Sequence, residues 1–210
     1  VTLHFVTGWA GDAAQYPRLA AAGPMLRPFV DFAPAELPGL LPARGETLVA
    51  WSTGAHLVLA HAAQLLPRFG LVLLLAPFLR FTDSFPQRTV LAMLTSLEED
   101  PARTLAAFHA NCGPISEEAA PPPFRPEQLP ALAAGLRYLA SAPAALAAPV
   151  PAPNAVLVRG ARDRIVRARA VQALLPLLPG ATVAAPECGH KIPQPVVLEL
   201  LHARLGTLDL

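Results

Sequence analysis

Ser52, Asp163 and His190 are the residue types needed to cleave an acyl bond, and they occur in the chain in that order. A serine hydroxyl is a weak nucleophile, so it needs a base to take its proton. The base in turn needs an acid that fixes its tautomer and supports the imidazolium. Ser52 stands in Ala50-Trp51-Ser52-Thr53-Gly54, between the apolar stretch Thr47 to Ala50 and the alanine- and leucine-rich stretch Ala55 to Leu66. A serine on a tight strand-to-helix turn, flanked by small residues, is pushed out where a substrate can reach its Oγ. Asp163 lies in Gly160-Ala161-Arg162-Asp163-Arg164, and His190 in Cys188-Gly189-His190-Lys191, each just beyond a β-favouring run. The oxyanion of a tetrahedral intermediate needs two preorganised N–H donors. Thr53, at the start of the helix, offers one, and Trp9, in the loop Thr7-Gly8-Trp9-Ala10-Gly11, offers the other.

Each residue also has a plainer role open to it. Ser52 fits an ordinary turn, Asp163 fits a helix cap or a partner for Arg162 or Arg164, and Trp9 fits a pocket wall. Three residue types in the right order and the right loops are more specific than the pentapeptide alone. Other chemistries find less support. His56 and His61 are five apart on one helix and do not share a face, so they make no metal pair. Cys112 and Cys188 match no zinc or C-x-x-C spacing, and Cys188 lies too near His190 in the same loop for a nucleophile and its base. His4, His109 and His202 read as structural or exposed, although His109 sits where it could reach the site. The chemistry requires no metal and no organic cofactor.

The elements that must position these residues follow from the local patterns. Leu3 to Val6 reads as a buried strand leading into the loop of Trp9, Tyr16 to Ala22 as a helix, and Arg27 to Phe32 as a second strand. Ala33 to Gly45 is a proline-rich connection with little room for a long helix. Thr53 to Leu66 reads as one helix closed by Pro67, and Gly70 to Ala76 as a strand covered on both faces. From Pro77 to Val150 the pattern changes to helices near Pro86–Leu97, Pro101–Asn111 and Pro126–Ala147, separated by prolines including Pro114 and lacking a convincing strand. Strand–helix alternation then resumes, with strands at Ala155–Arg159 and Ala181–Ala185 and helices at Arg167–Leu178 and Pro195–Leu205. The expected architecture is α/β: a mostly parallel sheet flanked by helices, formed by residues 1–76 and 151–210, with residues 77–150 inserted as a helical cap in one structural unit.

With 210 residues, 53% of them hydrophobic and 15% charged, the chain is long and apolar enough to bury a full core. The net charge of +1 gives no global field to attract nucleic acid or a membrane surface. The longest apolar run, Leu71 to Ala76, is strand-sized, far short of the roughly 20 residues that span a bilayer. A soluble, cytoplasmic monomer is expected.

Elbow, acid and histidine together make the chain resemble the α/β-hydrolase superfamily. Within it, Thr7-Gly8-Trp9, Trp51-Ser52-Thr53-Gly54, Ala76-Pro77-Phe78-Leu79-Arg80-Phe81, Arg103 to Phe108 and Gly135-Leu136-Arg137-Tyr138-Leu139 are similar to the pimeloyl-acyl-carrier-protein methyl ester esterases of biotin synthesis. That resemblance implies hydrolysis of the methyl ester on a pimeloyl chain borne by an acyl-carrier protein. It implies that Trp9, Phe78, Phe81 and Phe108 contact the acyl chain, with Phe108 open to a core role instead. It also implies that Arg88, Arg103, Arg125 and Arg137 meet the acidic carrier, a solvated helical surface being the other role for them. Two positions depart from the family pattern: Ala50 opens the elbow in place of glycine, and Thr7 stands where a histidine is common.

Overall fold

The computed structural model describes residues 2–113 and 121–206. Among the described residues the sheet has six strands: β1 (Leu3–Val6), β2 (Met25–Leu26), β3 (Gly45–Trp51), β4 (Phe69–Leu75), β5 (Ala155–Val158) and β6 (Thr182–Ala184). Their order is β2-β1-β3-β4-β5-β6, and every neighbouring pair is parallel. The central strands carry continuous apolar runs because both of their faces are covered. Leu48 to Trp51, Leu71 to Leu75 and Ala155 to Val158 are all buried.

Helices α1 (Pro17–Ala21), α2 (Leu37–Leu40), α3 (Thr53–Ala60), α4 (Ala62–Leu65), α8 (Ala168–Gln172) and α9 (Gln194–Leu205) connect or follow the strands. Between β4 and β5 lie α5 (Gln87–Glu99), α6 (Pro101–Cys112) and α7 (Leu129–Ser141), with α5 packed against both α6 and α7. Asp100 caps α6 by accepting from the Arg103 N–H at 3.0 Å, and Pro101 occupies the first helical position, where no N–H is needed. Pro114, the expected break after this helix, lies outside the described residues.

The structure corrects four expected elements. The second strand is Met25–Leu26, and residues 27–32 are a turn. Pro28 lacks an N–H, Phe29 takes φ 67°, and the Asp31 carboxylate accepts from both the Arg27 N–H and its guanidinium at 2.8 Å. Such local side-chain bonds compete with a strand ladder. The helix after Ser52 is interrupted at His61, which takes φ −119° and ψ 25° between α3 and α4. Helix α7 ends at Ser141 because Ala142 precedes Pro143 and adopts ψ 137°, the extended geometry that a following proline imposes. The helix expected over 167–178 shortens to α8, and a 3-10 turn at Leu175–Leu177 is built around Pro176.

No helix among the described residues is long and apolar enough to cross a membrane.

Candidate functional site

Ser52 follows the last residue of β3 and directly precedes α3, with φ 53° and ψ −113°. A positive φ is unfavourable for a residue with a Cβ, and the surrounding backbone holds it. The Ser52 N–H donates to the Leu75 carbonyl at 2.7 Å, and the Ser52 carbonyl accepts from the His56 N–H at 2.9 Å. Gly54 lets β1 and α3 approach: a Cβ there would stand 2.4 Å from the carbonyl oxygens of both Val6 and Thr7. Ala50, in place of the family's glycine, is fully buried in β3.

The loops after β5 and β6 bring the other two groups to this turn. His190 Nε2 lies 2.9 Å from Ser52 Oγ, and its Nδ1 lies 3.0 Å from Asp163 Oδ2. A carboxylate only accepts, so Nδ1–H donates to Asp163, leaving Nε2 to accept from the Ser52 hydroxyl. Asp163 Oδ1 accepts from the N–H groups of Ile165 and Val166, both at 2.8 Å. The side chains of Asp163 and His190 are fully buried. Gly160 lets the two loops touch, since a Cβ there would meet the Gly189 carbonyl oxygen at 2.0 Å, and Gly189 lets the histidine loop touch the end of α6, where a Cβ would meet the Cys112 carbonyl oxygen at 2.5 Å. On the far side, Trp51 Nε1–H donates to the His190 carbonyl at 3.1 Å, and the Cys112 carbonyl at the end of α6 accepts from the Lys191 N–H at 2.9 Å. The histidine loop is therefore held by β3 and α6 together. Trp51 entered the sequence reading only as a neighbour of Ser52; its support of His190 depends on a contact between distant segments.

Among the described residues, neither the Trp9 N–H nor the Thr53 N–H has a hydrogen-bond partner. Thr53 is the first residue of α3, so its N–H is one of the four that a helix leaves open. The Trp9 side chain is anchored elsewhere, with Nε1–H donating to the Leu132 carbonyl on α7 at 2.8 Å and the ring standing edge-on to Phe108 at 4.8 Å.

A cavity of about 750 Å³ opens onto this site. Its lining includes Trp9, Ser52, Thr53, Ile165 and His190 from the sheet side, Phe81, Phe85, Val90 and Met93 leading into and along α5, and Phe108, Leu136 and Leu139 from α6 and α7. Its exposed rim carries Glu99, Asp100, Arg103, Asn111 and Arg164. Trp9, Phe81 and Phe108 are thus brought together at the cavity, whereas Phe78 is not part of the lining. Phe78 is fully buried and stacks on His56 at 5.1 Å. His56 lies within 3.4 Å of the Phe78 carbonyl through Nδ1 and 3.1 Å of the Tyr138 hydroxyl through Nε2, and burial lowers its pKa to about 4. Phe78 thus packs α3 against the chain leaving β4.

The four arginines differ in their surroundings. Arg103 is on the cavity rim and Arg88 is exposed on α5. Arg137 pairs with Glu98 at 2.8 Å, and Arg125 with Glu127 at 3.4 Å. Met93, Phe85 and the acidic pair Glu99 and Asp100 were not singled out from the sequence. Thr89, Val90, Met93 and Ser96 do recur at helical spacing, but which face of α5 meets Ser52 is a tertiary matter.

Residues 6–199 match the profile of the alpha/beta hydrolase family. The chain belongs to that family. Its fold is similar to that of a hydrolase from Pseudomonas aeruginosa PA01, with a TM-score of 0.69 and 17% identity over 98% of this chain and 89% of that one. An esterase from Exiguobacterium antarcticum gives a TM-score of 0.67 and 14% identity over 96% and 90% of the two chains. A malate-bound thermophilic esterase from Thermogutta terrifontis gives 0.61 and 16% identity over 96% and 89%. No curated protein matched the chain by sequence. Among the described residues no group of three histidine, cysteine or acidic side chains is placed to hold a metal ion.

Proposed function

We propose that this alpha/beta hydrolase is a serine carboxylesterase working through an acyl-enzyme. The observation that carries the reading is the buried hydrogen-bonded chain Asp163–His190–Ser52, ending at an apolar-walled cavity. Ser52 Oγ attacks the ester carbonyl as His190 Nε2 takes its proton. The oxyanion sits between the open N–H groups of Trp9 and Thr53, and Asp163 supports the imidazolium. His190 then gives the proton to the departing alcohol. Water, activated by the same histidine, attacks the acyl-serine and releases the acid while Ser52 regains its proton. A fluorophosphonate probe and a panel of p-nitrophenyl esters test this: Ser52 is labelled and esters turn over. A folded protein that neither labels nor hydrolyses would instead fit an inactive binding module.

The finer reading is the methyl ester of a pimeloyl chain carried by acyl-carrier protein, with the helices of residues 77–150 as cap. The aromatic and aliphatic walls, Trp9, Phe81 and Phe108 among them, suit a seven-carbon chain. Of the four arginines, Arg103 at the cavity rim and Arg88, exposed on α5, are the two not paired with a glutamate among the described residues, which suits them to an acidic carrier. A second reading, hydrolysis of a small ester that arrives without a carrier, draws on the acidic pair Glu99 and Asp100 at the same rim. Complementation of a biotin auxotroph, with an assay on methyl pimeloyl-carrier, separates them. In the carrier reading Arg88→Glu with Arg103→Glu lowers turnover of the carrier-borne ester and spares the free methyl ester; equal effects on both favour the small-ester reading.

A further inference from the structure

We propose that Gln15 and His109 are positioning residues that hold the loop bearing Trp9, so that its N–H points at the oxyanion; this rests on the role just given to Trp9. The Trp9 side chain is buried and tied to the Leu132 carbonyl, but the direction of its backbone N–H depends on how the Gly8–Asp12 backbone is held. Ala10 adopts φ 55°, a left-handed conformation that persists in a residue with a Cβ only where the surroundings impose it. A cavity of about 50 Å³ lies against residues 8–12, with Leu105, His109 and Leu132 among its other walls, so side-chain packing does not fill that side. Among the polar ties there, the Gly11 N–H donates to the Gly8 carbonyl at 3.0 Å and the Asp12 N–H donates to Gln15 Oε1 at 2.9 Å, while Asp12 also accepts from the Gln15 N–H through its carbonyl and from the Ala14 N–H through Oδ1.

That second tie orients the buried Gln15 amide. An N–H can only donate, so the oxygen of Gln15 faces Asp12 and its nitrogen faces α6. There Nε2 lies 3.5 Å from His109 Nδ1, which must therefore accept. Only a neutral ring with its proton on Nε2 does so. His109 is buried, and its pKa falls to about 4 through desolvation and, to a lesser degree, the positive charge of Lys191, which keeps the ring neutral in neutral solution. Its ring also meets Phe108 edge-on at 5.4 Å, and Phe108 meets Trp9 at 4.8 Å. One turn of α6 thus reaches the loop twice, through Phe108 onto Trp9 and through His109 and Gln15 onto Asp12. Thr7 occupies the place where a histidine is common in the esterases the sequence resembles, and among the described residues its hydroxyl donates to the neighbouring Gly8 carbonyl alone, at 3.4 Å. Gln15 and His109 brace the loop from the opposite end.

The test compares Gln15→Leu and His109→Leu, which remove the tie, with His109→Asn, whose amide oxygen can stand where Nδ1 stood. Each is assayed well below its melting temperature. With p-nitrophenyl acetate, the two leucine variants lose about 10- to 100-fold in kcat at nearly constant KM, the cost of misplacing a transition-state contact, and His109→Asn recovers most of the loss. Amide hydrogen exchange over residues 8–12 is faster in the leucine variants than in the wild type and His109→Asn. Unchanged kcat and unchanged exchange overturn the proposal, as does an equal loss in His109→Leu and His109→Asn. If the wild type turns over no ester, the exchange difference still decides whether the brace exists, and the failure belongs to the esterase reading alone.

Discussion

At the scale of single residues, the proposed chemistry makes unequal demands on Ser52, His190 and Asp163. Ser52→Ala removes the attacking oxygen and should cost about 10⁶-fold in kcat, leaving whatever the N–H groups and binding contribute. Steady-state assay with fluorophosphonate labelling checks this, and the melting temperature should barely move. Asp163→Asn should retain the fold yet lose about 10⁴-fold, because an amide that keeps its bonds from the Ile165 and Val166 N–H groups turns its NH₂ toward His190 and selects the wrong tautomer. Turnover within tenfold of the wild type would show that this tautomer is not required.

At the scale of elements, close approaches between loops decide what can be changed. Gly54→Ala puts a methyl group into two backbone carbonyls, and Gly160→Ala pushes the aspartate and histidine loops apart. Neither obstacle is a flexible side-chain end, so each substitution should cost about 3 kcal/mol or more in urea unfolding, the upper range for overpacking. The helices impose a pH dependence as well. His56 on α3 and His109 on α6 both have pKa values lowered to about 4, in each case chiefly by burial, from an unfolded value of 6.5. Between those values the unfolded chain binds more protons than the native one. Their contribution is complete above pH 6.5 and is lost as pH falls toward 4, by up to about 1.4 kcal/mol per pH unit for each histidine. Chemical denaturation from pH 7 to 4 should show that slope, and His56→Phe should roughly halve it.

At the scale of the whole molecule, the strand order places the site. The chain moves from β1 to β2 on one side, then crosses back to β3 and continues outward, so the loops after β1 and β3 diverge and leave a crevice at the carboxyl ends of the strands. Trp9 and Ser52 stand on its two sides, and α5, α6 and α7 enclose the space above. A cavity of about 750 Å³ falls within the range of small-molecule sites and exceeds what an acetyl group fills. Medium-chain acyl esters should therefore be preferred. Met93→Trp, which narrows the α5 wall, should lower kcat/KM for an octanoyl ester about tenfold or more while changing the acetyl ester little, as measured on the same p-nitrophenyl series.

The residues proposed to carry the chemistry could be picked out in the sequence because each occupies a strand end, and strand ends are marked by local signals: β-branched and leucine-rich runs with glycine close behind. The parallel α/β architecture was legible for the same reason, through the alternation of those runs with helical ones. Proline context showed where local rules fail. Residues 27–32 form a turn closed by Arg27 and Asp31, and α7 stops before Pro143, since a side-chain hydrogen bond or a proline ring outweighs apolar pattern over a few residues. What lay beyond the sequence was every relation between distant segments. Phe78 packs on His56 and not in the cavity, Arg125 and Arg137 are matched to glutamates, Met93 faces the site, and His109 turns toward Gln15. Helical periodicity says which residues share a face, but only the packing of one element on another says what that face meets.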